Sequence, residues 1–433
     1  MNKGRVVLIA AIVVAVVLLG LAISWQPERR TSGARTGLSV VVIAVDGLDW
    51  YLLSQYAEEQ RVPMLRQFMK SAVLGEIEAD VPPLPEVGWT RLARGRSLDG
   101  AEMSRLTGVG GKRLTGILPD VARIAGASGA KTLTVGWPCS WPAESDGPVL
   151  TAAAARPPWR HHELSLAPAF YEGAPGQAST PRIAEVIDTA VATRSAGLES
   201  DFRDAICSES APNELWRDNV VAARWSYLSD AVALDVAARL YAEEEPDLTL
   251  VHLAGLDAVS HRFLAPAVPE YFEDPPGEGE AFSDVLGSYY AFLDEAVQRF
   301  HRLRRDDTLI FVCSANGFHP AENGGAISGS HAQGPPGVLM VFSDKLKGKN
   351  VAAPVATVDI APTVLAAIGV PIPNDVEGRV VPECIPSGRL RRAPPRYVEP
   401  PARPAPASAD ADLAPMDALA SQRLDDLSAG FPD

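Results

Sequence analysis

The chain has 433 residues, 47% of them hydrophobic and 21% charged, values typical of a globular protein with one large α/β domain or two smaller ones. Its formal net charge of −15 argues against nucleic acid as a partner, because phosphate backbones are bound by an excess of Lys and Arg. The charge does not exclude a phosphorylated ligand, since a bound metal cation can supply positive charge locally.

The chain begins with an apolar segment. Val6–Trp25 carries no charge and, at about 20 residues, is long enough to span a bilayer as a helix. A secretory signal usually has a shorter apolar region, so an uncleaved signal anchor is favoured, although Ala22–Ser24 could serve as a cleavage site. With residues 1–5 as a cytoplasmic tail and 26–37 as a linker, we predict a single-pass protein of the inner (cell) membrane whose bulk is extracytoplasmic.

The first predicted strand ends at a candidate functional residue. Val40–Val45 is an unbroken apolar run followed by Asp46-Gly47, which predicts a strand buried on both faces, as in parallel sheets. Ligands of open α/β sheets bind outside the carboxyl ends of the strands, where Asp46 would lie. The alternative is that Asp46 caps the following helix, and this stretch alone does not decide between the two interpretations.

Helices and strands alternate along most of the remaining chain. The pattern predicts helices at Trp50–Gln60, Met64–Ser71, Val87–Arg94, Ile117–Gly126, Ala222–Glu244, Phe282–Leu303 and Ile360–Ile368. It predicts strands at Val73–Ala79, Thr132–Gly136, Leu248–Leu253, Thr308–Cys313 and Val338–Phe342. This alternation is typical of an α/β fold with a doubly wound, mostly parallel sheet flanked by helices.

Two regions depart from this alternation. Residues 147–213 are rich in Pro, Ala and Gly with one predicted helix, Ile183–Arg194, which favours a cap or insertion over a sheet edge. The tail, residues 386–433, is rich in Pro, Ala and Asp and too poor in large apolar residues to order itself firmly. Only Met416–Leu427 indicates a helix there.

One group of residues has the spacing of metal ligands. Asp257 and His261 follow the strand Leu248–Leu253 and are four residues apart, so on a helix their side chains share one face. A carboxylate and an imidazole in that arrangement supply half of a zinc site, and His331 offers a third ligand. A single histidine is more often a structural residue, but here three such groups fall near strand ends of one sheet pattern.

At this point the chain resembles the alkaline phosphatase superfamily, specifically its type I phosphodiesterase/nucleotide pyrophosphatase branch. The resemblance covers residues 38–385 and is weakest over 147–213. It is carried by segments in the family's order: Val42–Trp50, Pro82–Thr90, Leu256–Phe263, Ser288–Asp294, Val312–Phe318, Gly329–His331, Val358–Thr363 and Gly369–Pro373. The resemblance implies an alkaline-phosphatase-like fold and a phosphoester hydrolase with two zinc ions, which stabilise the attacking and leaving oxygens.

The resemblance also implies which residues would bind these ions. One set, an Asp and two His, matches Asp257, His261 and His331. In the other set Asp46 is present, but the family's Ser-Asp-His-Gly-Phe has become Ser-Ala-Asn-Gly-Phe at residues 314–318. Two ligands are therefore replaced by Ala315 and Asn316.

The nucleophile of the family is missing as well. Its position is occupied by Pro85, which has no hydroxyl group. Thr90 is the nearby hydroxyl and a weak candidate for a substitute nucleophile, although the resemblance favours a packing role. His319 and Glu322 could supply replacement ligands, whereas the neutral amide of Asn316 would be a poor ligand for zinc.

These departures lead to alternative functions. The first is a membrane-tethered protein that has lost catalysis, holds at most one tightly bound zinc, and binds or scaffolds a phosphorylated small molecule or a protein partner. The second is an active metal-dependent phosphoester or sulfoester hydrolase with an altered site. A third is a structural envelope protein without a ligand. Loss of a nucleophile together with two ligands of one metal favours the first, because such residues act as a unit.

Overall fold

The computed structural model describes residues 38–80, 84–107, 120–143, 147–155, 166–208, 211–273, 277–321, 327–332, 335–400 and 414–428. The predicted tail, signal anchor and linker, residues 1–37, lie outside this part of the chain. Within it, no helix combines the length and the apolar character that crossing a membrane requires.

Nine of the strands in the described residues form one sheet. The strands are β1 (Ser39–Val45), β2 (Val73–Glu78), β3 (Thr132–Val135), β4 (Val149–Ala152), β5 (Leu248–Leu253), β6 (Thr308–Cys313), β7 (His319–Pro320), β8 (Gly329–Ser330), β9 (Gly337–Phe342), β10 (Lys349–Asn350), β11 (Val355–Ala356), β12 (Ile372–Pro373) and β13 (Tyr397–Val398). The order in the main sheet is β10-β2-β9-β6-β1-β5-β3-β4, and β11 also pairs with β2. The pairs β7–β8 and β12–β13 are separate two-stranded sheets.

The predicted mostly parallel arrangement is confirmed. β1 pairs in parallel with both β5 and β6, and β3 continues the parallel series to β4. The exception is β9, which is antiparallel to β6 and to β2. All seven residues of β1 are buried, because its alternate side chains enter two apolar clusters, one on each face of the sheet.

Helices cover both faces of the sheet. They are α1 (Trp50–Glu58), α2 (Pro63–Ser71), α3 (Pro85–Arg94), α4 (Gly100–Thr107), α5 (Asp120–Ala127), α6 (Pro181–Ala205), α7 (Glu214–Glu244), α8 (Gly255–Ala267), α9 (Val285–Leu303), α10 (Ile360–Ile368), α11 (Ser387–Arg392) and α12 (Ala414–Ser428). Large side chains of α1, α2 and α6–α9 pack on one face, and those of α3, α5 and α10 pack on the other. The predicted doubly wound α/β class therefore agrees with the structure.

Two parts of the region interpreted as a cap, residues 147–213, belong to the main sheet and its core. β4 is the edge strand of the main sheet, paired in parallel with β3. The one predicted helix, Ile183–Arg194, is the longer α6, whose buried Ile183 and Val186 belong to the same apolar cluster as Val41 of β1. Small residues in the flanking sequence weakened the hydrophobic periodicity, although β4 and α6 are part of the domain core.

Among its described residues, 386–400 and 414–428, the C-terminal tail is more ordered than its composition predicts, and the helix predicted at Met416–Leu427 is confirmed. Beyond residue 386 the chain forms α11, then β13, which pairs with β12, and finally α12. Met416, Ala420 and Leu427 of α12 are buried in an apolar cluster that includes Trp225 of α7. Arg423 donates a hydrogen bond to the carbonyl oxygen of Phe170 and lies 4.4 Å from the ring centroid of Tyr171. Tertiary contacts thus order a helix that has few large apolar residues of its own.

Candidate metal centre

The carboxyl end of β5 leads directly into the helix that carries two of the predicted ligands. β5 ends at Leu253 and α8 begins at Gly255, so one residue separates them. Asp257 lies in the first turn of α8 and His261 one turn later, on the same face of the helix. His331 follows the short strand β8. This segment lies against α8, because the backbone N of Ser328 donates a hydrogen bond to the carbonyl oxygen of His261, at 2.7 Å.

The three predicted ligands lie together. Nε2 of His331 is 2.6 Å from Oδ1 of Asp257, and Nε2 of His261 is 3.7 Å from Oδ2 of the same carboxylate. One ligand atom from each of the three residues lies within 4.8 Å of the others. Among the described residues, no other group of three or more His, Cys, Asp or Glu side chains has this spacing.

Backbone carbonyl groups orient both imidazole rings. Nδ1 of His261 lies 2.7 Å from the carbonyl oxygen of Gly329, and Nδ1 of His331 lies 2.8 Å from that of Gly317. Each Nδ1–H therefore donates to a carbonyl oxygen, and each Nε2 faces Asp257. Metal-binding histidines are held in this way in known metal sites, and three ligands plus one open position suit zinc. The ring of Phe318 contacts both imidazoles, with centroids 4.2 Å from His331 and 5.0 Å from His261.

The metal-free site holds a proton on His331. Burial alone would lower the pKa of this imidazole, but the adjacent Asp257 carboxylate, the carbonyl oxygen of Gly317 and the charge of Asp46 together raise it to about 9. A cation at this position is thus already favoured by the surrounding charges. A zinc ion would have to displace the proton, because only the neutral imidazole is a ligand.

Asp46 lies at the carboxyl end of β1 and does not cap the next helix. The residue is 3% exposed, and its backbone N donates to the carbonyl oxygen of Leu253 in β5, at 2.9 Å. The N-cap of α1 is Asp49, which accepts hydrogen bonds from the backbone N of Tyr51 and Leu52. The structure therefore decides the alternative that the sequence left open: the capping role belongs to Asp49.

A buried histidine next to Asp46 was not recognised from the sequence. His252 lies in β5, beside Ala44 of β1 in the sheet, and its Nε2 is 3.9 Å from Oδ2 of Asp46. Its ring contacts Trp89 of α3 and Trp137, with centroids 5.0 and 6.0 Å away. The sequence did contain a signal for it, since His252 lies inside the predicted strand Leu248–Leu253, which has few other polar residues.

Close backbone packing brings β1 and α8 together. Gly47 has φ +75°, and a Cβ atom on it would lie 2.5 Å from the Phe318 ring and 3.0 Å from Cα of Asp257. Only glycine fits there, for steric and for conformational reasons. Asp49 also connects the start of α1 to Phe318, because its Oδ2 accepts a hydrogen bond from the backbone N of Phe318, at 3.3 Å.

The two positions at which the resemblance predicts lost ligands, 315 and 316, are both buried. Ala315 is fully buried, and a Cβ atom on Gly88 of α3 would lie 3.1 Å from its methyl group. Asn316 is 1% exposed, and neither polar atom of its side chain has a hydrogen-bond partner within the described part of the chain. Pro85 is the first residue of α3, where proline is well tolerated.

The candidate substitutes are not part of the ligand group. Thr90 lies inside α3, about 7.5 Å along the helix axis from Pro85 at the usual rise per residue, and is 8% exposed. These features agree with a packing role. His319 lies in β7 next to the site, but it does not belong to the group of Asp257, His261 and His331. Glu322 lies outside the described residues.

Comparison with known proteins agrees with the resemblance in the sequence. The sequence profile described as type I phosphodiesterase / nucleotide pyrophosphatase matches residues 111–358, more than half of the chain. The chain belongs to this family. No curated protein matches the sequence. Proteins of the superfamily are metal-dependent, typically with zinc, and this chain has a candidate group of ligands for a metal.

Solved structures support the fold of this family member. The wild-type alkaline phosphatase PafA is 12% identical, with a TM-score of 0.50 over 80% of this chain and 98% of that protein. A mutant of PafA gives a TM-score of 0.51. A phosphonate monoester hydrolase from Silicibacter pomeroyi is 15% identical, with a TM-score of 0.45 over 85% of this chain and 78% of that one. At these identities the PafA structures show the alkaline-phosphatase-like fold and no more.

Proposed function

We propose that this family member is an extracytoplasmic protein, anchored by Val6–Trp25, that binds one zinc ion and has lost hydrolytic activity. In this proposal Asp257, His261 and His331 hold the ion, and the protein binds or scaffolds a ligand that carries a phosphate group. The observation that supports it is the contrast between the two ligand sets. One set is assembled, with both imidazoles oriented by carbonyl oxygens, whereas two positions of the other set hold an alanine and an amide.

The loss of the nucleophile is the chemical reason for expecting no turnover. In the family mechanism a hydroxyl oxygen attacks phosphorus while a metal stabilises its negative charge. Pro85 supplies no oxygen, and Ala315 and Asn316 supply no charge to hold a metal next to it. When catalytic residues act as a unit, the removal of any one of them eliminates nearly all of the rate enhancement. Asp46 alone does not replace the set.

The remaining site is suited to binding an anion. Zinc with three protein ligands would supply positive charge and one open coordination position for a phosphoryl oxygen. Asp257 balances part of that charge, and the carbonyl oxygens of Gly329 and Gly317 hold the two imidazoles in place. A local cation also explains how a chain of net charge −15 could attract a phosphorylated ligand.

The second candidate is an active phosphoester or sulfoester hydrolase with an altered site. The observation in its favour is the pair formed by Asp46 and His252 near the carboxyl ends of β1 and β5. Oδ2 of Asp46 and Nε2 of His252 are 3.9 Å apart. A carboxylate and an imidazole at this distance could contribute to a rearranged catalytic site. The pair has no hydroxyl group of its own, so Thr90 or water would have to be the nucleophile.

Metal analysis and an activity assay on the full-length protein in detergent test both candidates. The proposal expects at most one tightly bound zinc per chain, released by His331→Ala, and no hydrolysis of aryl phosphate mono- or diesters above that variant. Robust turnover abolished by Thr90→Ala would instead establish an active enzyme. Wild-type protein that binds no zinc and no phosphate would support a structural envelope role.

A further inference from the structure

Helix α8 begins without a capping side chain of its own. Its N-cap residue is Ala254, which has no side-chain oxygen, and β5 ends one residue earlier. The first backbone N–H groups of a helix have no acceptor within the helix, so they need one from elsewhere when they are buried. Here the acceptor comes from a different helix: Asp230 lies in the middle of α7.

Asp230 forms a compact hydrogen-bond group at this helix start. Its Oδ1 accepts from the backbone N of Ala254, at 3.2 Å, and its Oδ2 from that of Gly255, at 3.0 Å. Oδ2 also accepts a hydrogen bond from the hydroxyl of Tyr289 in α9, at 2.9 Å. Asp230 is 3% exposed and Tyr289 is fully buried. Three helices are thus joined at one carboxylate.

The packing next to this carboxylate leaves no space for a side chain at residue 255. A Cβ atom on Gly255 would lie 1.8 Å from the Tyr289 hydroxyl and 2.6 Å from Oδ2 of Asp230. Gly255 therefore allows the helix start to approach the carboxylate closely. The other end of the connection is also fixed, since β5 pairs with both β1 and β3.

We infer that Asp230 is a positioning residue for the metal centre: by holding the first turn of α8, it fixes the orientation of Asp257. Asp257 is two residues after Gly255, in that same turn. Because no loop lies between β5 and α8, a change at the helix start displaces the ligand. The inference rests on the proposed zinc site. It adds Asp230, a residue that the spacing of the ligands in the sequence does not predict. Groups that orient ligands commonly affect metal affinity by about 10–100-fold.

The chain contains a matched control for this role. Asp294 in α9 is also 3% exposed and also caps a helix from outside it, accepting from the backbone N of Met64 and Leu65 in α2. The N-cap of α2, Val62, likewise makes no side-chain capping bond. α2 carries none of the three ligands. Asp230→Asn and Asp294→Asn therefore each replace a buried carboxylate that caps a helix from another element.

The experiment compares these variants in the full-length protein. Zinc affinity is measured by competition with a chromophoric chelator, and ligand geometry by the visible spectrum after loading with Co²⁺. We expect Asp230→Asn to weaken zinc affinity at least tenfold and alter the cobalt spectrum, while Asp294→Asn lowers Tm without changing either. Tyr289→Phe, which keeps the ring and removes one hydrogen bond to Asp230, should weaken affinity about threefold and serves if Asp230→Asn does not fold.

Two results would overturn the inference: unchanged zinc affinity in Asp230→Asn and Tyr289→Phe, or an equal loss in Asp294→Asn. Amide hydrogen exchange of the metal-free protein separates this inference from the proposed function. Asp230→Asn should speed exchange at residues 254–258, and Asp294→Asn at 62–66. If the wild-type protein binds no zinc, the proposed function is refuted. The role of Asp230 in metal binding is then refuted too. Exchange at 254–258 unaffected by Asp230→Asn would refute the role of Asp230 at the helix start itself.

Discussion

Nε2 of His331 lies 2.6 Å from Oδ1 of Asp257, while Nδ1 of the same ring is bound to the carbonyl oxygen of Gly317. The two residues are 74 positions apart in the chain. In the metal-free protein this arrangement forms a partly buried ion pair, and with zinc the same atoms would face the metal. In the proposed zinc site one arrangement of side chains would therefore hold either the proton or the metal ion.

The first prediction concerns the pH dependence of the metal-free protein. The pKa of His331 is raised from the ordinary histidine value of 6.5 to about 9, so the folded state binds this proton more tightly than the unfolded state. The stabilisation is fully present below pH 6.5 and is lost as the pH rises through 9. The free energy of unfolding should decrease by about 3 kcal/mol across this window. Urea denaturation with chelator present, at several pH values, measures it.

The matching variant is His331→Ala, which should remove most of this decrease between pH 6.5 and 9. A decrease of the same size in His331→Ala would assign the pH dependence to other groups.

The second prediction separates the ligand group from a neighbouring histidine. His261→Ala should reduce bound zinc from one equivalent to below a tenth, because two protein ligands hold zinc weakly. His319→Ala should leave one equivalent, since His319 lies next to the site without belonging to the ligand group. Mass spectrometry of metal content after dialysis provides the measurement. Equal loss of zinc in both variants would contradict the ligand assignment.

The third prediction concerns restoration of the missing metal set. The double change Ala315→Asp and Asn316→His should raise bound zinc from one equivalent to two, because it returns a carboxylate and an imidazole beside Asp46. Adding Pro85→Ser should then give measurable hydrolysis of an aryl phosphate diester. Metal content is determined first, and the rate is compared with the same triple variant carrying His331→Ala. Two equivalents of zinc in the wild type would refute our interpretation of residues 314–318.

The fourth prediction tests the contact between β1 and the metal centre. Gly47→Ala should destabilise the protein by about 3 kcal/mol or more, because its φ of +75° and its contact with the Phe318 ring both oppose a Cβ atom. Gly129→Ala is the control, since Gly129 has φ +85° and no atom within 4 Å of the new Cβ. It should cost only about 1–2 kcal/mol. Similar losses for both, measured by urea denaturation, would mean that the Phe318 contact is unimportant.

The fifth prediction concerns topology. A reporter that is active only in the cytoplasm should give no signal when it is fused after Asp433, because the short basic start and the apolar run Val6–Trp25 predict an extracytoplasmic domain. Deletion of residues 6–25 should restore the signal, which confirms that the fusion is made. A cytoplasmic signal from the intact chain would overturn the predicted localisation.

Features that depend on neighbouring residues could be predicted from the sequence. Val40–Val45 has no polar position, so β1 had to be buried on both faces, and strands β5 and β6 were predicted with the bounds that the structure has. Asp257 and His261 share a face because helix geometry fixes residues four apart. The resemblance to the family's motifs, and no property of these residues by themselves, predicted that Ala315, Asn316 and Pro85 replace two ligands and the nucleophile.

Tertiary structure decided the relationships between distant parts of the chain. His252 reaches Asp46 only because β5 pairs with β1 in one register, and Asp230 meets the start of α8 only because α7 packs there. Likewise β4 is recognisable as a sheet strand only through its pairing with β3, and α12 is ordered by the cluster on which it docks. Local periodicity reports how one segment is buried. It carries no information about which other segment supplies the hydrogen-bond acceptor, the charge or the apolar surface, and those partners define the site.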